Sequence, residues 1–425
     1  FYLNGGYVYD GRYLLDVNLR SDGTSVFGAN KRFSTTWSVG LAWDVHREKF
    51  MKDKASFINV LKLRGSVGNP GNQNFSSYSA ITTYYFNNWM LNNFGTGVLV
   101  SKFGDPNLAW QRTLDKNIGI NLSMFSNRFH VTVDFYHKRT DPLIADIGIP
   151  VSMGVEKRRT NIGVQVDKGV NGTIRYAILY KPQESINYTM SVNFRYGTAF
   201  YKNIGRSLNA YNQENISKNL TRYYDGGSPT ALWAVRSRGI DPATGQEIFV
   251  KKDGTLTYTF DYKDEVEVGD SRPTLEGVWG NTFYYKGWSA SLQLRYSFGA
   301  DVFNSTLFNK VENISSRSIT TNQDRRALYN RWKKPGDKAK FKSISLTEST
   351  PMSSRFVMKE NYLSIESVRL GYQFDSKWLK KALRISSLNI NMYMNSIARF
   401  STLEDERGLY YPFARSISFS LGAIL

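Results

Sequence analysis

From Arg128 to Thr140 the chain reads RFHVTVDFYHKRT, with Phe129, Val131, Val133 and Phe135 at odd positions and His130, Thr132, Asp134, Tyr136 and Lys138 at even ones. A period of two sends successive side chains to opposite faces of an extended strand, so one face is apolar and the other polar. The dyad recurs along the chain. Trp288, Ala290, Leu292, Leu294, Tyr296 and Phe298 oppose Ser289, Ser291, Gln293, Arg295 and Ser297. Met190, Val192, Phe194 and Tyr196 oppose Ser191, Asn193 and Arg195, and Leu388, Ile390, Met392 and Met394 oppose Asn389, Asn391 and Asn395. With similar segments around Leu15, Val39, Ile120 and Phe419, the pattern predicts about thirteen antiparallel strands.

A soluble β-sandwich alternates in the same way. Two features favour a transmembrane β-barrel. Aromatics close the apolar face at its ends, as Trp288 and Phe298 do. About ten residues at about 3.3 Å each, tilted about 40°, span roughly 25 Å, the height of the apolar band of an outer-membrane barrel. The polar face carries Arg, Asn, Gln and Asp, with little Lys- or Glu-rich character, which suits a wet lumen better than bulk solvent.

The connections alternate in length. Short ones fall near Asp10, Asn127, Pro182 and Gly287, and two somewhat longer ones near Lys49 and Lys380 join the same end. Long ones fall around Gly23, Gly95, Gly154, Asn212, Ile319 and Asp405. Outer-membrane barrels have short periplasmic turns and long extracellular loops, so the expected placement is multi-pass, with the long loops outside. Bacterial single-chain barrels have even strand numbers, so an odd count reads as residues 1–425 forming the C-terminal portion of a larger barrel. The last strand, ARSISFSLGAIL, is expected to end at the periplasmic side with Leu425 on its outward parity. The opening FYLNGGYVYD is strand-like, without Met or a charged n-region, so residue 1 is read as not the biological start.

Composition sharpens this picture. Aromatics reach 15%, and 34 Gly against 11 Pro favour strands and turns. No apolar run approaches the roughly 18 residues of a membrane-spanning helix. There is no cysteine, which rules out disulfides and thiolate metal sites. The formal charge is +19, and such a surplus can meet nucleic acid, an anionic membrane or acidic ligands. No nucleic-acid motif and no run of five basic residues is present, so the charge is read as a basic surface meeting lipopolysaccharide or an anionic partner, with no nucleic-acid partner.

Several blocks resemble one family. RYLLDVNLRSDGTSVFGANKRFSTTWSVGLAWDVHREKFM, through Arg20, Asp22, Gly23, Thr24, Ser25, Phe27, Gly28, Gly40 and Trp43, resembles the strand, loop and strand of TonB-dependent outer-membrane transporters of the SusC/RagA type. LKLRGSVGNPGNQ, through Leu61, Lys62, Leu63, Arg64, Ser66, Gly68, Gly71, Asn72 and Gln73, is similar to a second block, and DPNLAWQRTLDKNIGINLSMFSNRFHVTVDFYHKRTDPLI to a third. NIGVQVDKGV and YLSIESVRLGYQF follow in order. The chain departs from the pattern at Gln111 and Asn171, where glutamate is usual, and at Leu425, where an aromatic is usual. It also lacks the acid-rich run that often precedes VEVGDSRPTLEG. The resemblance implies a barrel of about 22 strands whose lumen holds a plug. It further implies that the N-terminal strands, plug and TonB-contact segment lie outside this chain. A SusD-like surface lipoprotein on the long loops is implied too, with oligosaccharide or peptide cargo and no cofactor.

Candidate chemistry is sparse. His130, Asp134 and Tyr136 share one strand face, the spacing of a hydrolytic pair. However, no Gly-x-Ser-x-Gly elbow is present and the three His lack metal-ligand spacing, so the expectation is no catalytic residue and no metal. The polar residues His130, Asp134, Arg195, Arg295 and Asn391 are expected to face the lumen. The loop TTYYFNNWMLNNFG offers Tyr84, Tyr85, Trp89 and Phe94, which either stack on a ligand or pack the loop against a lid protein. VEKRRTN, with Arg158 and Arg159, reads as a basic solvated turn, with phosphate binding as the other reading. NQDRRALYNRW, 322–332, reads as a short loop helix without chemistry. The leading expectation is a TonB-dependent import channel. The rivals are a non-transporting scaffold of the same lineage and an outer-membrane hydrolase.

Overall fold

In a computed structural model the described residues are 1–24, 30, 32–52, 57–72, 80–93, 95–404 and 414–424. Among the described residues, thirteen strands follow one another in sequence order in one antiparallel sheet, with the two-residue strand Gly71–Asn72 paired to the fifth of them as a fourteenth. The thirteen are β1 (Tyr2–Tyr9), β2 (Tyr13–Gly23), β3 (Phe33–Asp44), β4 (Ile58–Gly68), β5 (Gln111–Met124), β6 (Phe129–Thr140) and β7 (Val164–Lys181). The rest are β8 (Ile186–Lys202), β9 (Leu275–Tyr285), β10 (Trp288–Phe303), β11 (Val357–Phe374), β12 (Ser387–Ser401) and β13 (Ile417–Ile424). Among the described residues no helix is long and apolar enough to cross a membrane, so any crossing is made by strands.

Register turns the sequence dyad into two continuous faces. Directly opposed residues run Trp43, Leu63, Ile120, Val133, Gly172, Phe194, Gly277, Tyr296, Leu363, Phe400 from β3 to β12. This apolar row begins near the short-turn end of β3 and finishes near the long-loop end of β12. Such a stagger is the shear that a closed barrel requires. Where the row meets glycine, a neighbouring ring fills the gap: the Phe194 ring lies over Gly172 and the Tyr296 ring over Gly277.

All the short connections join one end. Lys286–Gly287 is a two-residue turn and Asp10, Gly11 and Arg12 make a three-residue one; φ is positive at Lys286 and Gly287 (44° and 88°) and at Asp10 and Gly11 (50° and 63°). The two longer connections at that end carry short helices, Lys49–Lys52 and Lys377–Leu383.

The opposite end holds the long loops, and the packed apolar cores are there. Ala80, Leu108 and Trp110 pack with Ile144, and Val311, Phe341 and Phe356 pack with Phe303, Leu307 and Phe308. Ala231–Ile240, Glu247–Val250, Leu256–Thr257 and Glu265–Asp270 form a separate four-stranded sheet. Buried ion pairs join these loops. Arg355 bridges Glu247 (3.0 Å) and Glu312 (2.7 Å), and Arg222 pairs with Glu265 (2.7 Å). Removing one partner from such a buried pair costs about 3–5 kcal/mol. The wall strands behave oppositely: Leu41, Ile118 and Leu421 are 60%, 66% and 70% exposed. An apolar face of this extent is left uncovered only where another apolar phase covers it.

Two sequence expectations change here. The loop helix over 322–332 is one 3-10 turn, Arg325–Leu328, capped by the Asp324 carboxylate accepting from the Arg326 N–H. It stops because Asn330 takes a left-handed conformation (φ 56°) and the Arg331 guanidinium bonds the carbonyls of Ala327 and Lys342. The basic stretch at Arg158 and Arg159 is a strand, Lys157–Ile162, paired with Leu143–Gly148, and no solvated turn. Its cations are matched by acids: Arg159 on Asp146 (2.8 Å), Arg158 on Asp105 (3.2 Å) and Lys157 on Glu214 (3.0 Å). Leu425, Phe94 and the loop around Asp405 lie outside the described residues.

Candidate functional site

The polar face carries a second cross-strand row, one step from the apolar one: Arg64, Gly119, Asp134, Asn171, Arg195, Glu276, Ser297, Tyr362. Each residue is there because its strand keeps the period of two from its apolar neighbours. Asp134 on β6 accepts two hydrogen bonds from Arg64 Nη2 on β4 (2.7 and 2.8 Å), across the intervening strand β5. Gly119 makes this possible. A Cβ there would sit 2.4 Å from Asp134 Oδ1 and 2.9 Å from the Arg64 guanidinium. The pattern repeats at Gly371, where a Cβ would meet Asn391 Oδ1 and Ser289 Oγ.

Along the row, Arg195 pairs with Glu276 (3.6 Å), and one step lower Arg295 pairs with Glu366 (3.3 Å). Glu366 reaches this face through a β-bulge. Opposite β10, Gln293 pairs with Ser367 but Leu294 with Ile365, leaving Glu366 as the extra residue. Its carboxylate also accepts a hydrogen bond from Ser364 Oγ. The signed charges alternate, and the partners are half-exposed, so each pair contributes no more than about 1 kcal/mol. What the row creates is an exposed, charge-balanced surface. Two depressions meet at Asp134 and Asn171. One of 450 Å³ is lined by Thr132, Arg195, Glu276 and Arg295, and one of 660 Å³ by Asn18, Arg20, Arg64 and Asn117.

All five polar residues picked from sequence share this face, but they do not form one cluster. Asp134, Arg195 and Arg295 line the first depression. His130 lies toward the short turns, its Nε2 2.7 Å from the Asn127 carbonyl oxygen. Asn391 sits on β12 and accepts from Arg369 (2.8 Å). The hydrolytic spacing of His130, Asp134 and Tyr136 does not become a relay, because Asp134 is taken by Arg64 and the Tyr136 hydroxyl lies over Gly169 and Gly197. Tyr84, Tyr85 and Trp89 fall on a separate hairpin, Thr83–Asn92 with Gly95–Lys102, away from the wall. Tyr84 and Tyr85 are exposed on opposite faces of that hairpin, and Trp89 is 95% exposed. Sequence reasoning missed Arg64 and Glu276 in the row and Glu366 beside it. The signal for Glu366 was available: Ile365 to Val368 is a spacing of three in YLSIESVRLGYQF, one residue too many for strict alternation.

Comparison with known proteins matches this architecture. The sequence model of a family described as TonB dependent receptor-like, beta-barrel, matches residues 1–391. TonB-dependent receptor P39 of Formosa agariphila is 27% identical over 95% of this chain and 42% of its own length. TonB-dependent receptor SusC of Bacteroides thetaiotaomicron is 24% identical over 97% of this chain and 42% of its own length. The chain therefore spans about two fifths of these relatives. Among solved structures, the RagAB peptide transporter superposes with a TM-score of 0.82 at 21% identity, covering 94% of this chain and 43% of that one.

Proposed function

Since the chain belongs to the TonB-dependent receptor-like β-barrel family, we propose that it is of the SusC/RagA type and forms one side of an outer-membrane importer for oligosaccharides or peptides. The observation carrying this reading is the pair of opposed rows. Val133 and Phe194 share one face and Asp134 and Arg195 the other; on this reading the first face meets lipid and the second a hydrated interior. In hydrocarbon every backbone polar group needs an internal partner, and an open sheet leaves two edges unpaired. Further strands of a longer protein close the wall into a barrel of about 22 strands around a plug. The short-turn end faces the periplasm and the long-loop end the exterior.

On this reading the wall has no bond to break. Its charge-balanced row holds water and the plug surface without trapping either ion sign. Selectivity lies at the long-loop mouth with a SusD-like lipoprotein, and energy arrives when TonB acts on the plug. The apolar face meets outer-membrane lipid, and the +19 surplus meets lipopolysaccharide phosphate.

The test compares uptake of fluorescent oligosaccharides and peptides by cells carrying the full-length gene, with and without functional TonB. Uptake that requires both the gene and TonB is expected. Gene-dependent membrane assembly with no uptake of either cargo would instead mark a scaffold.

A further inference from the structure

Resting on the import reading, we propose that a pocket at the rim of the polar face binds a peptide through an uncharged, bulky apolar side chain. The pocket is 380 Å³ and sits where β5, β7 and β8 emerge into the long loops. That size lies near the lower end of ligand pockets, about 300–1,000 Å³, and suits one large side chain with a short stretch of its backbone.

Three wall positions point into it. Gln111, Gln165 and Tyr201 occupy the same parity as Asn117, Asn171 and Arg195 on their strands, and Gln165 and Tyr201 are directly opposed. The aliphatic lining comes from Leu143, Ile144 and Ile162 of the hairpin, and from Ile204 and Leu208 beyond β8. The Gln111 and Gln165 side-chain amides and Tyr201 supply polar groups to its lining. Two neutral amides, each able to donate and accept, match the alternating N–H and C=O of a peptide backbone.

The frame is preorganised. The Tyr223 ring lies tilted 5.7 Å from that of Tyr201 and edge-on 5.4 Å from that of Tyr211. Its backbone is held at both polar groups by the buried Asn212 side chain, which donates to the Tyr223 carbonyl (2.9 Å) and accepts from its N–H (3.0 Å). Asp225 clamps the adjoining turn through the N–H groups of Ile204 and Gly205 (2.8 and 3.0 Å). Lys157 ties the hairpin to the helix Asn209–Glu214 by its contact with Glu214. The charged group at the margin, Asp146, is already held by Arg159. A cationic or anionic ligand group would find no free counter-charge there, which is why a peptide with an apolar side chain fits better than an acidic or basic one. A pyranose, rich in hydroxyls, would leave most of them against Leu and Ile.

The test uses the full-length protein in detergent and capped tetrapeptides Ac-Gly-Xaa-Gly-Gly-NH2, with Xaa Leu, Phe, Lys or Glu, measured by calorimetry beside maltotetraose. The Leu and Phe probes are expected to bind at least about tenfold more tightly than Lys and Glu. Ala145→Phe, which fills the pocket, and Gln165→Ala, which removes an amide, each weaken the Leu probe by about tenfold or more. Equal binding of all four probes, or wild-type binding by both variants, overturns the proposal. Binding of maltotetraose in place of the peptides overturns it while leaving the importer intact. Leu-probe binding with the expected variants, joined to uptake that ignores TonB, upholds the pocket and refutes the importer.

Discussion

Single side chains in this molecule are decided by what lies across a strand. Asp134 is polar by parity alone, yet its partner, Arg64, is 70 residues away and reaches it only because Gly119 leaves room. Glu48, in the turn after β3, shows the same dependence. Its carboxylate accepts from the Tyr13 hydroxyl (2.8 Å), the Trp43 indole N–H (3.1 Å) and Arg12 Nη1 (2.6 Å). The hydrogen bond from Tyr13, then that from Trp43, hold its pKa below the usual carboxylate value. A carboxylate depressed in the folded state stabilises that state above its unfolded pKa, about 4.3, and the contribution disappears as pH falls through the folded value. Glu48→Gln should therefore lower the thermal midpoint of the full-length protein at pH 7, and the gap to wild type should close on acidification below about pH 4. Circular dichroism melts at several pH values check this; a gap that persists unchanged at pH 3 would remove Glu48 from the account.

At the scale of elements, the strands of the wall were legible and the loop elements were not. Alternation located the strands of the wall because a residue turned the wrong way meets either hydrocarbon or water, and both errors are costly. Loop elements obey other rules. Arg158 and Arg159 read as a solvated turn because their acids, Asp105 and Asp146, come from elsewhere in the loops. Asn322–Trp332 read as a helix because local propensity was its only signal, and long-range bonds from Arg331 decided otherwise. The face assignment of β6 has a direct consequence. Val133→Arg should cost about 2–4 kcal/mol of barrel stability at the bilayer midplane, while Thr132→Arg on the adjoining polar face should cost well under 1 kcal/mol. Urea unfolding in lipid vesicles measures both, and equal costs would contradict the two-faced wall.

For the whole molecule the controlling fact is direction. In a thirteen-strand antiparallel sheet, β1 and β13 run the same way. Joining them directly would make a parallel seam, so an all-antiparallel barrel needs an odd number of additional strands between them. Residues 1–425 hold no cysteine, so engineered pairs can be placed within them and followed. In the full-length protein, cysteines replacing Ile390 and Leu421, which are directly opposed, should cross-link on mild oxidation, because opposed Cα atoms lie about 4.5–5.5 Å apart. Cysteines replacing Leu3 and Leu421 should stay reduced, and a disulfide between them on a non-reducing gel would mean that this sheet closes on itself.

By itself the sequence determined the period of two, the two faces it creates, the order of the strands and the end at which each connection lies. These are local consequences of backbone geometry, and each depends only on residues close in the chain. The tertiary structure alone decided which polar residues meet: Arg64 with Asp134 over Gly119, Arg295 with a Glu366 displaced by a bulge, and Gln165 beside Tyr201 at the rim. Those meetings depend on register between strands, and register is set by the whole sheet at once.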